Sequence, residues 1–325
     1  MEEMLMNQEQ FITKEENQEK NEGKLKILQP KNDVVFQALF TRGKEKITKA
    51  LLEDILKIKI HKLDLDKSRD LLNDNKKDKN GRLDLRAVLN DNIECDIEIQ
   101  LSTHDKVLER FLYYWSKVYT SNIKIGEQYS KLRQTISIII IDDEIKQFKE
   151  IEKACTKWQI REEKYRDKIL TSYFQMNIIE LPRAIKEYEK DKENAVLQWM
   201  KFLDNPEDME VRRIMEENQD IKEAKEELDK ISQDDRLRRM ALKAKLERMD
   251  HKQELYEAKR DGRAEGEKIG RQQGETIGEA RGRKEGIKQN QEETALKMLQ
   301  KQMDIPTIKE ITGLTEEEIK KLKEK

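Results

Sequence analysis

Apolar positions crowd into one part of this chain, from about Leu25 to Leu181, and thin out on either side. The first 24 residues hold little to bury and predict a disordered or loosely helical leader. A helix is predicted from Asp33, with Val34, Val35, Ala38, Leu39 and Phe40 on roughly one side. A second opens near Glu45, where Ile47, Leu51, Leu52, Ile55 and Leu56 recur at helical spacing. HKLDLDKSRD predicts an edge strand and NDNKKDKNGR a polar loop. Two strands follow, RLDLRAVLN and NIECDIEIQL. A helix over 106–121 offers Leu108, Phe111, Leu112, Trp115 and Tyr119 for packing, and Gly126 interrupts the connection after it. TISIIIID, residues 135–142, is apolar without alternation, the mark of a strand buried on both faces in mid-sheet. MNIIEL, before Pro182, predicts another strand.

From Ala184 to Arg260 the chain reads as highly charged helix, with Trp199, Met200, Phe202 and Leu203 as one apolar patch. This order of elements predicts an α/β domain with a small mixed sheet flanked by helices. The boundaries read as a leader over 1–24, the α/β domain over 25–190 and a charged helical region over 191–257. A glycine-periodic segment over 258–290 and a small helical module over 291–325 complete the chain.

The two central strands share a parity. Ile93, Cys95, Ile97, Ile99 and Leu101 point to one side, and Glu94, Asp96, Glu98 and Gln100 to the other. In the preceding strand Leu83, Leu85, Ala87 and Leu89 share a face, with Arg82, Asp84, Arg86 and Val88 opposite. Both apolar sets are odd-numbered. A hairpin that turns both to the core therefore needs a loop with an odd number of residues. Asn90-Asp91-Asn92 fits, and asparagine tolerates the left-handed backbone such loops use. That register sets Asp84 directly across from Glu98, with Cβ atoms roughly 4.5–5.5 Å apart. Two carboxylates so placed repel unless a cation lies between them, and Mg²⁺ suits oxygen ligands. The other reading of the same pattern is an amphipathic hairpin with a solvated charged face.

Gly262, Gly266, Gly270, Gly274, Gly278, Gly282 and Gly286 recur every four residues among good helix formers. Each interior glycine costs about 0.8–1 kcal/mol relative to alanine, so an isolated helix does not keep them without return. Self-association or intramolecular docking of a helix is the favoured reading, and a partly helical spacer is the alternative. A four-residue period would wind a sustained seam right-handed. In the last module Pro306 suits a first helical turn, Gly313 ends that helix, and Thr315 with Glu318 has capping-box spacing. Ile308, Ile311, Leu314, Ile319 and Leu322 could make a miniature core. The pattern is helix–turn–helix. Glu316, Glu317 and Glu318 stand where a recognition helix meets DNA, which favours packing or oligomerisation over base reading.

Composition adds limits. The 66 basic and 68 acidic residues leave a net charge of -2, which neither supports nor excludes a DNA partner, since phosphate contacts need only a patch. Two cysteines, Cys95 and Cys155, permit no disulfide framework or zinc spacing. Cys95, on the apolar face, reads as a small hydrophobe. No run approaches the ~20 apolar residues of a membrane span, and no secretory signal opens the chain, so a cytoplasmic location is expected.

The succession KNDVVFQALF, GRLDLRAVLNDNIECDIEIQL, ERFLYYWSKVY and IGEQYSKLRQTISIIIID resembles the recombination-promoting nucleases. These are putative transposases of the PD-(D/E)XK superfamily. The resemblance covers about residues 25–203, and the glycine tail is also typical. It implies a restriction-endonuclease-like domain that hydrolyses DNA phosphodiesters with Mg²⁺ or another divalent cation. Asp84 matches the first acid and Glu98 the second, both as metal ligands, and Gln100 stands where the superfamily has lysine. Gln100 can donate a hydrogen bond but carries no charge. Asp33 sits at an early acidic position, and capping the first helix is its other reading. Asp96 shares the polar face with Glu98, either in solvent or near the site. Lys79 and Arg82, beside Lys76 and Lys77, and Arg110 are candidate DNA contacts. Tyr113, Tyr114 and Tyr119 are read as packing. His61, His104 and His251 are scattered and form no catalytic set. A non-catalytic DNA-binding or assembly protein on a degenerate nuclease fold is the competing reading, motivated by Gln100 and the weak basicity.

Overall fold

The computed structural model describes residues 26–42, 45–66, 85–103 and 106–323. It divides into one unit ending at Arg248 and a second beginning at Met249. The first is a six-stranded sheet between two helical layers. Its strands are β1 (Leu63–Leu65), β2 (Leu85–Leu89), β3 (Ile93–Gln100), β4 (Gln134–Ile141), β5 (Cys155–Trp158) and β6 (Phe174–Glu180). They lie in the order β1-β2-β3-β4-β6-β5. β3, β4 and β6 run parallel, and β1, β2 and β5 are antiparallel to their neighbours.

β4 is central, and every residue after Gln134 is buried, as a run without alternation requires. The β2–β3 turn is the expected three residues. Asn90 and Asp91 both take positive φ, at 49° and 65°. The Asn90 carboxamide oxygen accepts from the His61 and Lys62 amides, tying the turn to the segment that leads into β1. β1 sits at the sheet edge, where its sequence placed it. β5 was not anticipated. It is short, half-exposed and carries Lys157, so it lacks the apolar alternation that marks a strand.

On the first face of the sheet, odd residues of β2 and β3 meet helices α1 (Asp33–Arg42) and α2 (Glu45–Leu56). α4 (Leu181–Tyr188), α5 (Ala195–Asp204), α6 (Met209–Glu217) and α7 (Gln219–Ile231) join the same core. It extends to Ala241, in α8 (Asp235–Gln300). A boundary at residue 190 follows charge rather than packing, because α5 lies inside this core. Trp199 is fully buried between Phe40 and Phe202, and its indole nitrogen donates to Asp54 at 2.9 Å. On the second face α3 (Val107–Thr120) crosses β3 and β4, burying Val107, Phe111 and Val118. Leu112, expected to pack, is instead half-exposed, because the sheet meets a narrower stripe of α3 than its apolar residues span. No helix among the described residues is long and apolar enough to cross a membrane.

In the second unit the glycine series lies within the continuous helix α8. A Cβ added at any of the seven glycines would meet nothing within 4 Å. Within this unit the stripe therefore has no docking partner among the described residues. Beyond α8, α9 (Ile305–Thr312) and α10 (Glu316–Lys323) close a small core of Ala295, Met298, Ile308, Leu314 and Ile319. Gly313 takes φ +72° at the end of α9, and Thr315 and Glu318 form the reciprocal cap of α10. Ile311, expected inside, is exposed, since α9 turns Ile305, Ile308 and Thr312 inward and Ile311 lies beside that stripe.

Trp199→Ala should cost about 3–5 kcal/mol, the range for a buried aromatic truncated to alanine. Chemical denaturation of the full chain measures it. A loss below about 1 kcal/mol would mean that α5 is not part of the core.

Candidate functional site

The even residues of β3 carry the chemistry, and the face they occupy is not solvated. Glu94, Asp96 and Glu98 are each no more than 6% exposed. α3 is the reason: it returns the chain over this face between two parallel strands. The expectation of a solvent-facing charged surface is thus corrected, and so is a solvent position for Asp96.

Burying three carboxylates on one strand demands partners. Glu94 has two. The Arg86 Nε donates to its Oε2 at 3.2 Å, and the Arg133 Nη1 to its Oε1 at 2.8 Å. Asp96 accepts from the Ser137 hydroxyl at 2.7 Å, across the parallel register of β3 with β4. Burial pushes the Asp96 carboxyl up to about 7, against the Ser137 hydrogen bond, and the Glu98 charge raises it further. Glu98 is also raised by burial, opposed by Arg110. The Arg110 Nη2 donates to the Glu98 Oε1 at 3.2 Å, and its guanidinium stands 5.2 Å over the Tyr114 ring. The Arg110 Nε is buried without a hydrogen-bond partner. The Trp115 indole fixes α3 to the sheet by donating to the Thr135 carbonyl at 3.0 Å.

The other expected residues are placed as follows. Gln100, at the end of β3, donates from Nε2 to the Ser102 carbonyl at 3.2 Å. Asp33 opens α1 and pairs with Arg248 at 2.9 Å, while the Asn32 side chain accepts from the Val34 amide near the helix start. Tyr119 stacks on Trp115, as a packing role requires. Tyr113 is half-exposed beneath the Lys117 ammonium and meets the Tyr114 ring edge-on at 5.6 Å, so it packs on α3 itself rather than in the core. Asp84, Lys79 and Arg82, with Lys76 and Lys77, lie outside the described residues.

Sequence reasoning missed Ser137, Arg133 and the part played by Arg86. Arg86 was legible in principle, because it shares the parity of Asp84. Ser137 and Arg133 depend on the β3–β4 register, which no local pattern announces.

Among the described residues no group of three or more His, Cys, Asp or Glu side chains is arranged to hold a metal ion. Asp96 and Glu98 nevertheless bring two coupled carboxylates to one patch. Such an all-oxygen donor set fits a hard divalent cation, with Glu98 and Asp96 the described side chains able to reach it. The Arg110 guanidinium supplies positive charge at Glu98 in the protein alone.

The family described as "PD-(D/E)XK nuclease family transposase" matches residues 30–258. That described as "Rpn/YhgA-like nuclease family, C-terminal HTH domain" matches residues 288–324. The second match weighs against reading α9 and α10 as packing elements alone. No curated protein and no solved structure matches the chain significantly.

An ordinary aspartate titrates near 3.8, and folding moves Asp96 to about 7. Between those values the folded chain holds the extra proton, so this residue's contribution to stability falls as pH rises and levels off above about 7. Asp96→Asn keeps an oxygen for Ser137 and has no such proton. In chelator, its stability relative to the native chain should grow across that window, by on the order of 4 kcal/mol in total. Urea denaturation at a series of pH values reads this, and parallel pH profiles would refute it.

Proposed function

Since this chain belongs to the PD-(D/E)XK nuclease family transposases, we propose that it is a metal-dependent DNA endonuclease acting in the cytoplasm, in recombination or transposition. Asp84 and Glu98 are the metal-binding carboxylates in this reading, and Mg²⁺ is the expected ion. The observation that carries it is the hairpin register. Leu85 pairs with Ile97 and Leu89 with Ile93. This is the odd-with-odd pairing on which the expectation of Asp84 opposite Glu98 rests, with Asp84 itself outside the described residues.

A divalent ion held by Asp84 and Glu98 would supply Lewis acidity toward the scissile phosphate and lower the pKa of a bound water. The protein's own groups do the rest. α3 excludes water from the carboxylates and so strengthens every charge on that face. Arg110, the cation beside Glu98, is the proposed phosphate contact from α3. Gln100 donates a hydrogen bond to the attacking water, in place of the usual lysine. Asp96, held by Ser137, sits beside Glu98 and adds negative charge to the ligand set. Asp33, whose partner is Arg248, is a further acidic candidate at the start of α1. Lys79 and Arg82 remain proposed phosphate contacts. Self-association through the glycine stripe belongs to the same proposal. Light scattering of a chain ending at Gln253 tests it, and an unchanged oligomeric state would remove it.

One observation favours a second reading. The Gln100 amide is already engaged with the Ser102 carbonyl, as in a binding or assembly protein on a degenerate nuclease fold. Plasmid nicking separates the two. With Mg²⁺ the native chain should convert supercoiled DNA to open-circular or linear forms, and with EDTA it should not. Asp84→Ala and Glu98→Gln should each lose more than about 100-fold in rate. Cutting that persists in Asp84→Ala would show the site assignment to be wrong. DNA binding without cutting under any divalent ion would favour the second reading.

A further inference from the structure

The exposed apolar residues of the first unit are unevenly spread. Trp158, at the end of β5, and Ile160, Tyr165, Ile169, Leu170 and Tyr173, before β6, all lie on one stretch. Residues 160–170 are exposed without a break. The stretch is nevertheless hydrogen-bonded into a short hairpin ribbon with one antiparallel bridge. The Leu170 amide donates to the Ile160 carbonyl at 3.0 Å, the Glu162 amide to Lys168 at 3.1 Å, and the Lys168 amide to Tyr165 at 2.8 Å. Arg161 bridges Ile169 in antiparallel fashion. The base of the ribbon is fixed by Trp158, which stacks on Phe148 at 5.0 Å.

Its charge is as distinctive as its exposure. Over Gln159–Leu170, Arg161, Lys164, Arg166 and Lys168 stand against Glu162, Glu163 and Asp167, an excess of one positive charge in a chain whose total is -2. Part of that acid is already engaged. Glu162 accepts from the amides of Lys164 and Tyr165, which shapes the tip. Asp167 lies beside Lys168 at 3.5 Å. No carboxylate pairs with Lys164 or Arg166 among the described residues.

We infer that the Gln159–Leu170 ribbon is a DNA-docking arm that enters a duplex groove, a reading that rests on DNA being the substrate. A major groove about 12 Å wide admits a two-stranded β-ribbon, and basic side chains on its rim meet the phosphates. The aromatic and aliphatic side chains then lie against sugars and base edges. A second copy of the chain would also cover apolar residues, but the unpaired cations at the tip favour a polyanion.

Binding of the full chain to a short fluorescent duplex is measured by anisotropy in EDTA, over a salt series. Reading binding apart from cutting keeps this proposal separable from the nuclease assignment. Lys164→Ala/Arg166→Ala/Lys168→Ala should weaken binding by on the order of 10-fold. It should also flatten the dependence of log K on log salt by about 2 to 3, at roughly 0.9 per phosphate contact. The control Lys190→Ala/Lys222→Ala/Lys230→Ala removes equal charge from the helical layer and should leave the slope unchanged. Circular dichroism confirms that both variants fold. An unchanged slope in the ribbon variant overturns the proposal. So does a change in its oligomeric state with DNA binding intact, which would make the ribbon a chain–chain surface.

Discussion

Three carboxylates on alternate positions of one strand are kept out of water, and much of the first unit is arranged around that cost. An isolated buried carboxylate is unfavourable by several kcal/mol, so each needs a hydrogen bond, a cation or a proton. The chain uses all three. Glu94 has two arginines, Asp96 has a serine hydroxyl and a raised proton affinity, and Glu98 has Arg110. The charge balance on this face changes from Glu94 toward Glu98. It is overcompensated at Glu94 and leaves two coupled acids at Asp96 and Glu98.

The sheet supplies the rigidity this needs. β3 is antiparallel to β2 on one side and parallel to β4 on the other. Its backbone is thus fixed along its length, and its side chains alternate strictly between two cores. The odd residues anchor in the large helical layer, including Ile97 and Cys95. The even residues can be polar only because their stability does not depend on packing alone. The helices after Glu180, though highly charged, belong to this scaffold: Val196, Leu197, Trp199 and Met200 are all buried.

Much of the fold was legible because its signals are local. Odd-numbered apolar residues on both sides of Asn90-Asp91-Asn92 admit the hairpin register that is found. The unbroken apolar run of β4 allows few places other than the centre of a sheet. What stayed hidden was long-range. β5 is an edge strand held by β6, and its own residues do not favour a strand. Nothing in the even residues of β3 announces that α3 covers them, because that depends on where a crossover lands. Leu112 and Ile311 look like core residues, but a short or obliquely packed helix buries fewer positions than its apolar residues could fill. In the candidate site the shared face of Glu94, Asp96 and Glu98 was legible from strand parity, while Ser137 and Arg133 required a neighbour 39 or more residues away in sequence.

Parallel neighbours cannot be joined by a tight turn, so the link from β3 to β4 must travel the length of the sheet. Here that obligatory return is α3, the same piece of chain that roofs the acidic strand and carries Arg110. Insertions or deletions within that link would reshape the entrance to the acids while every strand kept its register. Divergence in what reaches this site is therefore most easily accommodated in one connecting segment, with the load-carrying sheet left alone.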